Sequence, residues 1–134
     1  MSRRELRENI FKLLFLQGFH QEEEMPEQLA LYFEEMEELK GAQREYIETK
    51  YKNTADRIQE LDAVIDGVST GWKTSRMSKV DLTILRLAVY EMKYDEEVPV
   101  KVAINEAVEL AKKFGQDESP SFINGILGAV AREL

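Results

Sequence analysis

Apolar residues recur at intervals of three and four along almost the whole chain, and no stretch shows the strict alternation of a half-buried strand. The pattern therefore predicts an all-α protein. The first helix is expected to begin after Ser2, because Ser2 and Glu5 have the spacing of a capping box. It is expected to end at Gly18, and its inward face is formed by Leu6, Ile10, Leu13 and Leu16.

Two more helical segments are predicted in the N-terminal half. The second helix begins at Pro26, a residue type favoured in a first helical turn, and ends before Gly41. A third segment spans roughly residues 42–69, with an interruption near Asn53. The residues of the second helix that are predicted to face inward are Leu29, Phe33 and Met36.

The C-terminal half predicts three helices, of which the first is central. Ser78 and Asp81 have capping-box spacing before VDLTILRLAVYEM, whose apolar residues point in nearly every direction around the helix. Such a helix is typically enclosed by others. The next helix is expected to end at Gly115, and the last to begin with Ser119 as its N-cap. Within the central helix Arg86 is the only charge between positions 82 and 89, so an acidic partner is predicted, either Glu106 or Glu91.

Length and charge favour one compact domain over residues 1–134, built from two helical halves. The chain has 134 residues, of which 43% are hydrophobic, enough for one sizeable core. Residues 1–69 hold 9 basic and 16 acidic residues, a balance of −7, whereas residues 70–134 hold 9 and 10, a balance of −1. The total of −8 argues against non-specific binding to nucleic acid or anionic lipid.

Several classes of chemistry are excluded by composition. The chain has no cysteine and a single histidine, His20, which excludes thiol catalysis and multi-histidine zinc sites. No glycine-rich phosphate loop or nucleophile elbow is present, so neither an enzyme nor a metal or cofactor site is predicted. Without an apolar run of about 18 residues or a cleavable signal, the protein is expected to be cytoplasmic, with no membrane contact.

Positive charge is nevertheless concentrated at the start of the chain. On a helix Arg3, Arg4 and Arg7 fall within an arc of about 100°, and Phe11 and Phe15 continue along the same side. Guanidinium groups beside aromatic rings suit single-stranded RNA, because arginine pairs with phosphate and rings stack on bases. The alternative interpretation is a solubilising basic turn followed by two phenylalanines of the core.

A second basic cluster precedes the central helix. Lys73, Arg76 and Lys79 have no acidic residue between them, which is compatible with RNA contact, although an ordinary loop is the favoured interpretation. Trp72, the only tryptophan, follows a glycine and is predicted to anchor this loop rather than to serve as a binding platform.

Three stretches of the C-terminal half, VDLTILRLAVYEM, VPVKVAINEAVELAKKFG and SPSFINGIL, resemble the NusB family of transcription antitermination factors, as does the arginine-bearing start RRELRENIFKLLF. The resemblance implies two perpendicular three-helix subdomains and no catalysis or cofactor. It also implies binding to single-stranded boxA RNA of nascent ribosomal RNA together with the small-subunit ribosomal protein NusE, within the antitermination complex of RNA polymerase.

The resemblance further assigns candidate site residues. Those matched to RNA contacts are Arg3, Arg4, Arg7 and Phe122. Those matched to the complex, without a choice between RNA and the ribosomal protein, are Phe15, Asp81 and Glu118.

Two other functions stay open. One is an RNA-binding module related to the N-terminal domain of RNA cytosine methyltransferases, although no cofactor-binding domain is expected because the sequence ends at Leu134. The other is a helical protein-interaction module that uses the acidic surface of the second and third helices and never touches RNA.

Overall fold

The computed structural model describes residues 1–36, 39 and 41–134, and every regular element within them is helical. The predicted all-α fold is confirmed. The described part of the chain contains seven α-helices, which are α1 (Arg3–Gln17), α2 (Met25–Glu34), α3 (Gly41–Ala55), α4 (Ile58–Val68), α5 (Lys79–Tyr94), α6 (Val100–Phe114) and α7 (Ser119–Glu133). Single 3₁₀ turns at Glu22–Glu24 and Thr74–Arg76 precede α2 and α5.

The chain forms two compact units, Met1–Asp56 and Arg57–Leu134. The boundary lies in the short break between α3 and α4, so α4 belongs to the second unit, whereas charge placed the division after residue 69. The interruption predicted near Asn53 is present, a few residues later than expected.

In the first unit α1 packs against α3, with Ile10 and Leu13 of α1 and Ile47 of α3 fully buried. Side chains also connect α2 to both of these helices. The Tyr32 hydroxyl donates a hydrogen bond to the Asn9 side chain of α1, and the Arg44 guanidinium of α3 lies 4.7 Å from the centre of the Phe33 ring. Burial raises the pKa of Tyr32 to about 12.

The end of the second helix was predicted wrongly. α2 ends at Glu34, and Gly41 begins α3 instead of terminating α2. Phe33 is buried as expected, whereas Leu29 and Met36 are half-buried. The predicted helical path through residues 37, 38 and 40 lies outside the described residues.

The second unit is organised around α5, as predicted. This helix packs against α4, α6 and α7, and its residues Ile84, Leu85 and Val89 are fully buried. The partner predicted for Arg86 is wrong. Arg86 donates two hydrogen bonds of 2.7 Å to the Asp62 carboxylate of α4, because α4 lies beside α5 and presents an acid at that level.

The turn between α6 and α7 is fixed by close packing. A Cβ atom at Gly115 would lie 2.6 Å from Ser119 Oγ, so no larger residue fits without movement. Ser119 is buried, and its hydroxyl accepts a hydrogen bond of 3.0 Å from the Gln116 amide. The prediction that Ser119 is the N-cap of α7 is wrong. Ser119 is the first residue of α7, and Glu118 occupies the N-cap position.

Candidate nucleic-acid and partner interface

The first turn of α1 exposes two of the three predicted RNA-binding arginines, Arg3 and Arg4. The turn is held by the predicted capping box: the Ser2 hydroxyl accepts from the Glu5 amide at 3.1 Å, and the Glu5 carboxylate accepts from the Ser2 amide at 3.1 Å. Capping satisfies backbone donors that a helix start otherwise leaves free. Both arginines therefore project from a turn of defined geometry.

Arg7 occupies a different environment from its two neighbours. Only 7% of its surface is exposed, although it lies one turn after Arg3. Sequence spacing places Arg7 within the predicted arc but cannot show which part of that arc other residues cover. Arg3 and Arg4 are therefore exposed at the helix start, whereas Arg7 presents little surface to solvent.

A row of three aromatic residues continues along α1 and beyond its end. Phe11 is buried and its ring lies 6.1 Å from that of Phe15, while Phe15 meets Phe19 edge to face at 5.1 Å. Phe15 is half-buried and Phe19 is 57% exposed. Around the axis of a helix, Arg4 and Phe15 are separated by about 20°. The guanidinium and the ring therefore lie on the same face of α1.

Phe19 was not among the residues predicted from the sequence. Its spacing of four residues from Phe15 is the signal that could have identified it. It follows Gly18, where the helix was expected to end, and the ring contact between Phe15 and Phe19 spans that end.

The second unit contains a cavity of about 1030 Å³ that brings three predicted site residues together. Asp81 comes from the first turn of α5, Glu118 immediately precedes α7, and Phe122 lies in the first turns of α7. These residues are distant in sequence, and the packing of α5 against α7 makes them line one space. The same cavity is also lined by Trp72, Arg76, Ser121, Gly125 and Ile126.

Asp81 has an unusual hydrogen-bonding state. Its amide donates to the Ser78 hydroxyl at 3.1 Å, which is one half of the predicted capping box. Its Oδ1 atom is buried and accepts no hydrogen bond from any described residue. A buried acceptor without a donor costs free energy, typically about 1–3 kcal/mol.

The loop before α5 contributes one cation and one large ring to the cavity. Arg76 is exposed and lines the space, whereas Lys73 is directed to the backbone carbonyl of Asp66 at 3.3 Å. Trp72 lines the cavity and its ring is 49% exposed, so it does not lie beneath the loop as the predicted anchoring role requires. Its carbonyl accepts from the Ser69 hydroxyl, which fixes the backbone and leaves the ring at the surface.

Acidic side chains and His20 do not converge on a metal site in the described part of the chain. Among residues 1–36, 39 and 41–134, no group of three or more histidine or acidic side chains is placed to hold a metal ion. Within the same ranges no helix has the length and apolar character that crossing a bilayer requires.

Comparison with known proteins identifies the family. The sequence model of the NusB family matches residues 4–132. The transcription antitermination protein NusB of Agathobacter rectalis is 52% identical over 131 residues, which cover 98% of this chain and 100% of that protein.

Solved structures agree with the sequence match. NusB of T. maritima superposes with a TM-score of 0.85 at 31% identity, covering 99% of this chain and 92% of the other. A structure of the antitermination factors NusB and NusE with double-stranded RNA gives a TM-score of 0.81 at 23% identity, with 98% and 97% coverage, and shares the fold. The chain therefore belongs to the NusB family, whose named relatives are transcription antitermination proteins.

Proposed function

We propose that this protein is an RNA-binding transcription antitermination factor that binds boxA RNA of nascent ribosomal RNA together with NusE. The observation that carries the proposal is the capped first turn of α1, which exposes Arg3 and Arg4 in a chain that has a net charge of −8. Membership of the NusB family supports it, as does the existence of a NusB structure in complex with NusE and double-stranded RNA.

The RNA side of the proposal is the surface of α1. Arg3 and Arg4 neutralise phosphates, and Phe15 and Phe19 offer rings on which unpaired bases stack. Arg7, predicted to contact RNA as well, is assigned to the edge of this surface because it is 7% exposed. The surplus of acidic residues elsewhere weakens the long-range attraction of RNA, so binding of RNA without the partner is expected to be modest.

The partner side of the proposal is the cavity of the second unit. Asp81 and Glu118 carry two negative charges there against the single positive charge of Arg76. Carboxylates repel phosphate and attract a basic polypeptide, so this space favours the ribosomal protein. Phe122 lines the same cavity, and we assign its ring to a base of the RNA that is held beside the partner.

The proposed role needs no catalysis and no cofactor. The protein would act in the cytoplasm, where the RNA polymerase complex transcribes ribosomal RNA, and would promote processive transcription by joining RNA to NusE. Its contribution is binding and positioning, which the described surfaces support: exposed cations, exposed rings and an open cavity with carboxylates.

The test is boxA binding by the double variant Arg3→Ala/Arg4→Ala, measured by fluorescence anisotropy with and without NusE over a series of salt concentrations. We expect the affinity to fall by about tenfold. The log–log salt slope should become less steep by about 1.4, because each lost contact to single-stranded RNA contributes about 0.7. Both arginines are exposed, so the melting temperature should not change.

A matched control is Lys52→Ala/Lys101→Ala, which removes the same charge from exposed positions on α3 and α6. An equal loss in this control would mean that only net charge matters. Unchanged boxA affinity and slope in the arginine variant would reject the RNA assignment. If NusE still bound while RNA did not, the protein-interaction module would be the better description.

A further inference from the structure

Trp72 places a large apolar ring at the surface of the second unit, with nearly half of it exposed. Burial of a ring of this size stabilises a fold, so leaving it exposed forgoes free energy. Two other exposed rings rest on a neighbouring ring: Phe19 contacts Phe15, and Tyr94 contacts Tyr90 at 5.6 Å. Trp72 contacts no other aromatic ring among the described residues, so both the exposure and the isolation of its ring need an explanation.

The loop that carries Trp72 is tied to the C-terminal end of α4 on both sides of the ring. The Ser69 hydroxyl donates to the Trp72 carbonyl. The amide and the hydroxyl of Thr74 donate to the Asp66 carboxylate at 2.7 and 3.0 Å. The loop's own hydrogen bonds therefore hold the ring in its exposed position. A ring that is already held in place loses little freedom when it meets a ligand.

Phe122 supplies a second ring to the same cavity. Its side chain is half-buried and, like Trp72, it stacks on no aromatic ring in the part of the chain that the structure describes. The two rings come from different elements, the loop before α5 and the start of α7, and line one space of about 1030 Å³. Two rings without a stacking partner at one open cavity suit a flat aromatic ligand.

The charges of the cavity indicate which flat ligand fits. Asp81 and Glu118 disfavour a phosphate inside the space but do not repel a nucleobase, which is uncharged. Arg76 is exposed and lines the same space, so it can pair with a phosphate next to the base. A basic side chain can also stack on a ring, but it needs only one ring and would be repelled by Arg76. Unpaired bases of RNA are typically recognised by stacking on aromatic side chains.

We infer that Trp72 is a stacking platform for one unpaired base of boxA RNA, and that Phe122 contacts the same base. The inference rests on the proposed function and deepens it, because it adds an RNA contact that the resemblance to the NusB family did not assign. The base enters the cavity when NusE holds the RNA beside it, so the contact belongs to the complex of all three molecules.

The first test compares Trp72→Leu with Trp72→Phe in the full chain. Leucine keeps apolar bulk but removes the aromatic ring, whereas phenylalanine keeps a ring. With NusE at saturation, Trp72→Leu should bind boxA RNA about tenfold more weakly, and Trp72→Phe less than about threefold, by fluorescence anisotropy. NusE affinity and melting temperature should stay unchanged in both, because the Ser69 hydrogen bond is made to the backbone of residue 72.

The second test identifies the base, using boxA oligonucleotides that each lack one base. One abasic position should weaken binding to the unsubstituted protein about tenfold and should not weaken binding to Trp72→Leu any further. Ring and base would then belong to one contact, which a double-mutant cycle detects as non-additive losses. The control is Val102→Ala, which removes an exposed apolar side chain of α6 outside the cavity and should behave as the unsubstituted protein does.

Each other result has a defined meaning. Equal boxA affinity of Trp72→Leu and the unsubstituted protein at saturating NusE would overturn the inference and leave the proposed function standing. A loss of NusE affinity in Trp72→Leu would assign the ring to the ribosomal protein and overturn it too. Additive losses at every abasic position would show that Trp72 contacts no base. Absence of boxA binding by the unsubstituted protein, with and without NusE, would overturn the proposed function and, with it, this inference.

Discussion

The two candidate surfaces differ in how the chain builds them. The α1 surface comes from one continuous helix, and its exposed cations and rings lie within residues 3–19. The cavity is assembled from the loop around Trp72, the start of α5 and the start of α7. A surface built by one helix depends on local geometry, whereas an assembled cavity depends on the packing of the whole unit. Damage to the core of the second unit should therefore abolish partner binding and spare RNA binding by α1.

The largest expected effect on stability concerns the second unit, where an ion pair joins Arg86 of α5 to Asp62 of α4. Asp62→Ala leaves Arg86 without its bidentate partner, in a site where each side chain is about a quarter exposed. We expect the free energy of unfolding to fall by roughly 2–3 kcal/mol, somewhat less than for a fully buried pair. Urea unfolding followed by circular dichroism measures it.

The control for that variant is Glu48→Ala in α3. Its ion pair with Arg44 is nearly as short, at 2.8 Å, but both side chains are about half exposed. The loss there should be less than about 0.5 kcal/mol. Similar losses for the two variants would contradict the view that burial decides the strength of these pairs.

The next largest effect on stability is expected at the turn between α6 and α7, which carries Glu118 of the cavity. Gly115→Ala places a methyl group against Ser119, and we expect a loss of about 1–3 kcal/mol in the free energy of unfolding. NusE affinity should fall because Glu118 lies in this turn, while boxA affinity of the protein alone should persist. Gly67→Ala, where a Cβ atom meets nothing, is the control and should not be destabilising. Loss of RNA binding by folded Gly115→Ala would break the division between the two surfaces.

The smallest effects concern single aromatic rings. Phe19→Ala should weaken boxA binding by about 1–2 kcal/mol through one lost stacking contact, with NusE affinity unchanged. Phe122→Ala should weaken boxA binding to a similar extent only when NusE is present at saturation. Anisotropy with labelled RNA measures both. If Phe122→Ala instead lowered NusE affinity, Phe122 would belong to the partner side of the comparison.

Local features were predictable from the sequence because their causes are local. The capping residue Ser2 and the enclosed helix α5 follow from spacing alone, and the structure confirms both. The resemblance to the NusB family also brought Asp81, Glu118 and Phe122 into the candidate set, but it did not show that they share a cavity. That proximity arises from helix packing, which spacing within one segment does not encode.

The failed predictions share a physical reason. Arg86 pairs with Asp62, which lies 24 residues earlier in the chain, whereas helical spacing and apolar context pointed to Glu91 or Glu106. The exposure of Trp72 depends on the conformation of its loop, where the Ser69 hydroxyl donates to the Trp72 carbonyl. The burial of Arg7 depends on the residues that pack around α1. The Arg86 pair is a contact between two helices, and the Ser69 hydrogen bond lies in a loop without a repeating pattern, so helical spacing encodes neither.

The close contact between Gly115 and Ser119 has a kinetic consequence. Because close packing and the Ser119 hydrogen bond already fix the turn between α6 and α7, Glu118 is held in the cavity wall before a partner binds. Little conformational freedom is then lost on association. The encounter rate should accordingly follow electrostatic steering and decline with ionic strength, without a slow ordering phase in stopped-flow traces.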